Sequence, residues 1–331
     1  MKKLYKGCLL ATFMVMSPLS FSQAICDELV SVVPKAAVGK AAASKPVAKK
    51  QKATQKKSVK RSVVNKTVSS QLVYHYGDVM IEPENGVRQS VLSKASDALP
   101  VNNGDIVHTG EQSFAVIKLY NGSQITIPSA SKVRLKSIRQ LPISIELLEG
   151  RVDNEVVPIL DGQGKRVTKG YGYLLATPSL NLGVRGTQFK VEHAKQVSFV
   201  SVEEGEVVIQ RAGSCEKPLS LTKKDGAFVS DPKVKQIRAL DAPQLLGLSD
   251  VFRGGGEVVI KFPAVSGAQR YHVQAAHDAD FVYLFEESFN DLPELKLSTL
   301  DNGYYHVKVT AIDQDGVEGM PATKRILFQY K

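Results

Sequence analysis

Histidine has the widest catalytic repertoire of any side chain near neutral pH, and this sequence contains six: His75, His108, His193, His272, His277 and His306. They are scattered, and no two have the spacing that would place a pair of zinc ligands on one helix face. Isolated, internally satisfied imidazoles are the expectation. No Gly-x-Ser-x-Gly elbow, phosphate-binding glycine loop or dinucleotide fingerprint occurs, and Cys215 has no nearby basic partner of the kind that activates a thiolate. The adjacent carboxylates Glu203 and Glu204, or Glu286 and Glu287, are of the type that serves glycoside hydrolysis. Neighbouring strand residues point to opposite faces, so neither pair can share a site without a bulge. Asp278, Asp280, Asp313 and Asp315 fit either a calcium ion at the end of a domain or ordinary turn chemistry. The sequence therefore predicts no catalytic residue, no metal site and no cofactor, and the chain reads as non-enzymatic.

The N-terminus follows the secretory plan: Lys2, Lys3 and Lys6, an apolar run from Cys8 to Phe21, then Ser22 and Ala24 as the small residues a signal peptidase accepts. Cleavage after Ala24 is predicted, which makes 1–24 a signal peptide. The run is short for a membrane span and is interrupted by Pro18, so a retained anchor is the weaker alternative. Ile25 before Cys26 argues against a lipoprotein, since a small residue is wanted there. The protein is expected in the periplasm, not integral to the membrane once cleaved.

A formal charge of +10 resembles a nucleic-acid signature until the charge is located. Eleven basic residues and no acidic one lie between Lys35 and Lys66, whereas the chain from Thr67 onward carries 29 basic against 31 acidic residues. Residues 25–70, rich in Lys and Ala, have too little apolar surface to offset ordering entropy and are predicted to be a disordered tether. Lys49, Lys50, Lys52, Lys56, Lys57, Lys60 and Arg61 form its densest charge and suit an anionic polymer such as peptidoglycan. No aromatic residue is interleaved for base stacking, so nucleic acid is not expected as a partner. In an oxidising compartment Cys26 and Cys215 could form a disulfide, or remain unrelated thiols.

From Gln71 the texture becomes short alternating runs punctuated by Gly, Asn, Asp or Pro, which predicts an all-β protein. Phe114–Leu119 and Gln124–Ile127 flank Asn121 and Gly122, a strong hairpin signal. Further strands are expected at Lys132–Leu135, Ile143–Leu148, Tyr173–Ala176, Gln188–Glu192, Val197–Val202 and Glu206–Gln210, with turns at Glu149-Gly150 and Glu203-Glu204-Gly205. A short helix is conceivable over Leu240–Phe252. The boundaries predicted are a β domain at 71–238, a linker at 239–256 containing three consecutive glycines, and a small β-sandwich at 257–331.

Several runs resemble a FecR-type domain. They are Gly104-Asp105-Ile106-Val107-His108-Thr109-Gly110, Ala115 to Ser123, Ile127 to Val133, Leu147 to Val152, and above all Thr177 to Val191 with Val202 to Val207 after it. The resemblance implies short strands in a solenoid-like or sandwich-like arrangement. The family is named after periplasmic signal relays that hold an anti-sigma segment in the cytoplasm, but only Met1 to Gly7 precede the apolar run here, so the likeness supports the domain more than the pathway. Phe262 to Gln274 and Asp301 to Asp313 are similar, more weakly, to fibronectin type III-like sandwiches appended to exported proteins. Within the strongest motif, Gly183, Val184, Arg185, Gly186 and Thr187 read as a tight reversal. Gly183, Arg185, Gly186 and Thr187 are the candidate partner-binding residues, with Arg185 either a ligand contact or a guanidinium tying turn carbonyls together.

The expectation is thus an exported binding or scaffold module that contacts an envelope protein or glycan and reaches anionic wall polymer through its tether. The alternative is a periplasmic sensor or regulatory component of a signalling system.

Overall fold

The computed structural model describes residues 69–91, 98–167, 170–245, 251–253, 258–297 and 300–329. The predicted signal peptide, nearly all of the basic tether and Cys26 lie outside them. Every regular element among the described residues is a strand. The strands between Gln71 and Arg238 pair only with one another, as do those between Val251 and Gln329, giving two β units.

In the first unit the strand Ile143–Glu155 organises the rest. Its first half pairs with Lys132–Ser137 and, in parallel, with Tyr173–Ala176. Its second half pairs with Gln188–Ala194 and Gln124–Ile127. One strand therefore serves two sheets, and it bends between them at Gly150. There φ is +82°, and a Cβ would fall 2.5 Å from the Ala130 carbonyl oxygen, so only glycine fits. Glu149-Gly150, expected as a turn, is instead a bend inside one continuous strand. The two sheets enclose a single core that includes Ile117, Ile125, Ile145, Leu147, Val152, Leu182, Phe189, Val191, Val200 and Val202.

The second unit packs a five-stranded sheet (Val251–Arg253, Ala322–Gln329, Gly303–Ile312, Arg270–Ala276, Leu284–Asn290) on the two-stranded pair Val258–Lys261 and Glu294–Leu297. Val258, Ile260, Leu295 and Leu297 from the pair share a core with Tyr271, Val273, Ala275, Val307, Val309 and Ile326 from the sheet, which is a β-sandwich. The helix conceivable over Leu240–Phe252 is ruled out at its end, because Val251–Arg253 pairs in parallel with Leu327, Phe328 and Gln329.

The strand Arg270–Ala276 is buried on both faces beyond its first residue. Its odd-numbered residues fill the sandwich core. With a period of two, the even-numbered His272, Gln274 and Ala276 must face elsewhere, and they face the first unit. Ala276, Phe281 and Leu284 form a small apolar cluster with Phe114, against which Tyr74 packs. The Tyr74 ring stands edge-on to that of Tyr283 at 5.2 Å. The two units thus meet along a seam.

Candidate functional site

The seam is lined on one side by the second half of the organising strand and its neighbours. Val152, Phe189, Val191, Val200 and Val202 point into the core, so the alternating Arg151, Asp153, Lys190, Glu192, Ser201 and Glu203 point out of it. On a lone sheet these would be solvated. Here the second unit covers them with His272, Gln274, Glu287, Lys308, Thr310 and Glu318.

The result is a buried knot of charge. Arg151 donates from Nη1 to Glu318 Oε1 at 2.6 Å and from Nη2 to Glu287 Oε1 at 3.1 Å. Lys190 Nζ donates to the other Glu318 oxygen and lies 3.2 Å from Glu203 Oε1, while Thr310 Oγ1 donates to Glu318 Oε2 at 3.0 Å. The His272 ring stacks on Phe289 with centroids 4.6 Å apart, its Nε2 2.8 Å from Glu287 Oε1 and its Nδ1 3.2 Å from Glu318 Oε1. Ser129 donates from its backbone N–H and its hydroxyl to Glu287 Oε2, both at 3.5 Å.

Burial alone would neutralise such groups, but here the pairing wins. Glu287 is pushed up by desolvation and pulled down further by the His272 hydrogen bond and charge and by Arg151, reaching about 2. Glu318 is likewise pushed up by burial yet held well below the usual carboxylate range by Arg151, Lys190 and His272. Arg151 and Lys190 are drawn down by desolvation and raised above their ordinary values by Glu318, with Asp153 and Glu287 acting on the first and Glu203 on the second. These two acids and two cations are all ionised near neutrality, which makes the knot a clamp, with no proton-transfer group among the four. Because both carboxylates are depressed, their stabilisation is complete above the unfolded value of about 4.5 and is lost as pH falls toward 2. Urea midpoints should therefore be flat between about pH 6 and 8 and decline below about pH 5, with a shallower decline in Glu287→Gln.

Beside the knot lies a cleft of 290 Å³ whose walls include Asp153, Lys190, Glu203, Gln124 and Gln188 from the first unit and Gln274, Phe281, Lys308 and Thr323 from the second. Charged residues that the sequence scatters over several strands are thus brought together at one place. The residues that meet across the seam come from segments 70 or more positions apart, and each reads in isolation as the wet face of a strand. His272 likewise leaves the group of isolated imidazoles, although His108, against Glu82 Oε2 at 3.0 Å, and His193, against Ser198 Oγ at 2.9 Å, do not.

The motif residues from Gly183 to Thr187 lie elsewhere and are turned inward. Leu180–Val184 pairs with Tyr173–Ala176 and Glu206–Arg211, whereas Gln188–Ala194 belongs to the other sheet, so the segment is a corner between sheets. Gly186 has φ +100°, as a left-handed position requires, but Gly183 does not. It is needed because a Cβ there would lie 2.7 Å from the Tyr171 ring. Arg185 donates to the Gly170 carbonyl at 2.9 Å with its guanidinium 4.5 Å above the Tyr171 ring, and Thr187 donates to the Glu206 carbonyl at 2.9 Å. The aspartates cap turns: Asp278 accepts from the backbone of Val282 and Tyr283, and Asp313 from that of Asp315 and Val317. Cys215 is disulfide-bonded, with its partner outside the described residues.

The family model described as FecR protein matches residues 105–208, which hold the organising strand and the corner motif. Residues 105–208 are a FecR domain. No curated protein is significantly similar to the chain. Among solved structures, one from Parabacteroides distasonis described as an anti-sigma factor is 17% identical over 40% of this chain and 59% of its own, with a TM-score of 0.33. The chain thus spans about three-fifths of the length of that structure. The fibronectin(III)-like modules of Clostridium thermocellum CbhA are 11% identical over 60% of this chain and 94% of theirs, with a TM-score of 0.23. At such scores the likeness lies in local strand arrangements and carries no argument about function.

Proposed function

We propose that the chain is an exported, non-enzymatic envelope module in which the FecR domain and the C-terminal sandwich act as one rigid recognition body. The carrying observation is the clamp: its acids are held ionised by its cations across the seam, which fastens two units that each have a core of their own. Burying so many charges costs stability that apolar packing would not, so the arrangement favours one defined relative placement of the two units. A fixed placement suits recognition of a protein or glycan partner across both units. The basic segment ahead of the FecR domain, with Lys49 to Arg61 at its centre, would hold this body to anionic wall polymer such as peptidoglycan.

Deleting Lys35 to Lys66 should release the protein from isolated sacculi at moderate ionic strength while leaving its melting temperature unchanged; retention of the deleted form on sacculi would overturn the tether role. The FecR match favours a second reading, a regulatory component that senses envelope state. In that case transcriptional output follows changes in the β units and is indifferent to the tether.

A further inference from the structure

The cleft beside the clamp has an imbalance that the protein does not resolve by itself. Asp153 Oδ1 and Oδ2, Glu203 Oε1 and Gln274 Oε1 are buried acceptors without a hydrogen-bond donor among the described residues, although Arg151 and Lys190 provide charge nearby at 3.3 and 3.2 Å. Gln274 is the sharpest case. It is 2% exposed, and its amide is oriented by donation from Nε2 to Glu287 Oε1 at 3.3 Å, which leaves Oε1 as the unused end. In the same wall, Lys308 rests its ammonium 4.6 Å from the centre of the Phe281 ring; Glu203, Asp153 and Glu318 attract it without closing to ion-pair distance among the described residues, and burial lowers its pKa. Buried polar groups short of hydrogen bonds cost free energy, so a site whose carboxylate acceptors are ion-paired yet lack donors, and whose ammonium reaches no carboxylate directly, gains from a group supplied from outside.

The chemistry of the completing group follows by elimination. A divalent cation would satisfy the acceptors but would bring two positive charges beside Lys190 and no anion for Lys308. A simple anion would satisfy Lys308 but would meet Asp153 and Glu203. A neutral sugar would leave Lys308 unpaired and would lack a platform to stack on, because the Phe281 face is occupied by Lys308 and Phe189 is buried. A molecule with an ammonium and a carboxylate a few bonds apart meets both demands, and the cleft, at 290 Å³, is at the small end of ligand sites.

We propose that the seam cleft binds a small zwitterion, an amino acid or short peptide with free termini, whose ammonium is held by Asp153, Glu203 and Gln274 Oε1 and whose carboxylate is held by Lys308. The proposal rests on the reading of the chain as a recognition body and names the ligand class of its seam. Because residues of both units take part, the occupied cleft ties ligand binding to their relative placement.

Calorimetric titration of the full mature chain tests this, with L-alanyl-L-alanine and D-alanyl-D-alanine as probes. N-acetyl-L-alanyl-L-alanine lacks the ammonium, L-alanyl-L-alanine amide lacks the carboxylate, and glucose and calcium chloride supply the competing chemistries. At least one free dipeptide should bind saturably with Kd below about 1 mM, and capping either end should weaken it about tenfold or more. Lys308→Met, checked by circular dichroism and melting temperature, should weaken binding of the free dipeptide by a similar factor. Equal binding of capped and free peptides, wild-type affinity in Lys308→Met, no binding by either dipeptide, or binding of glucose or calcium instead would each overturn the zwitterion assignment. Mass spectrometry of the recovered dipeptide separates the two readings. A cleaved peptide defeats the non-enzymatic reading itself, whereas an intact, unbound peptide with tether-dependent sacculus binding defeats only this assignment.

Discussion

Glu318→Gln should lower the stability of the two-unit body by about 3 to 5 kcal/mol, because it removes one partner from a buried charge network and leaves the others in place. The substitution keeps shape and volume, so the loss is electrostatic. Glu318 accepts from Arg151, Lys190 and Thr310 with a side chain only 6% exposed, and no water can replace the missing charge. In a body of this size the loss corresponds to a fall of about 10 °C in melting temperature by calorimetry. Adding Lys190→Met, which withdraws a cation that has lost its partner, should recover part of the deficit. A double-mutant cycle would then give a coupling of about 1 kcal/mol or more, and simple additivity would count against the clamp.

Phe114→Ala is the apolar counterpart, with an expected cost of about 3 to 5 kcal/mol. Phe114 belongs to the FecR domain but is 2% exposed because the sandwich covers it, and its ring lies 6.0 Å from that of Tyr74 and 5.4 Å from that of Tyr76. Truncation leaves a cavity bounded by Ala276, Phe281 and Leu284, which belong to a different unit and can recede only by opening the seam. Calorimetry should then resolve two transitions where the parent chain has one, since each unit keeps its own core. A single transition shifted down without splitting would mean that the apolar contact contributes packing but does not couple the units.

Much of the local structure was legible in the residues alone. The apolar run Phe114 to Lys118, buried on both faces as far as Ile117, and Gln124 to Ile127 flank Asn121 and Gly122 as the observed hairpin, and the strand expected at Tyr173–Ala176 is present, as are those at Val197–Val202 and Glu206–Gln210 with small extensions. These are decided by short apolar or alternating runs and by turn residues within a few positions, which is information a short window contains. Gly150 was misread because a glycine at φ +82° serves a turn and an in-strand bend alike, and the choice depends on which strands lie on either side.

The sequence by itself determined that this is a β protein with an apolar, alternating interior, a hairpin at Asn121 and Gly122, and a charge imbalance confined to the segment before Thr67. Only the tertiary structure decided that the polar faces of Ile143–Glu155, Gln188–Ala194 and Arg270–Ala276 are not solvent faces at all. Alternation tells which residues leave a sheet's own core, but not what they meet on the other side. Here that is a second folded unit, brought there by contacts across more than 100 residues, and it turns Arg151, Lys190, His272, Glu287 and Glu318 from dispersed surface charges into one buried network.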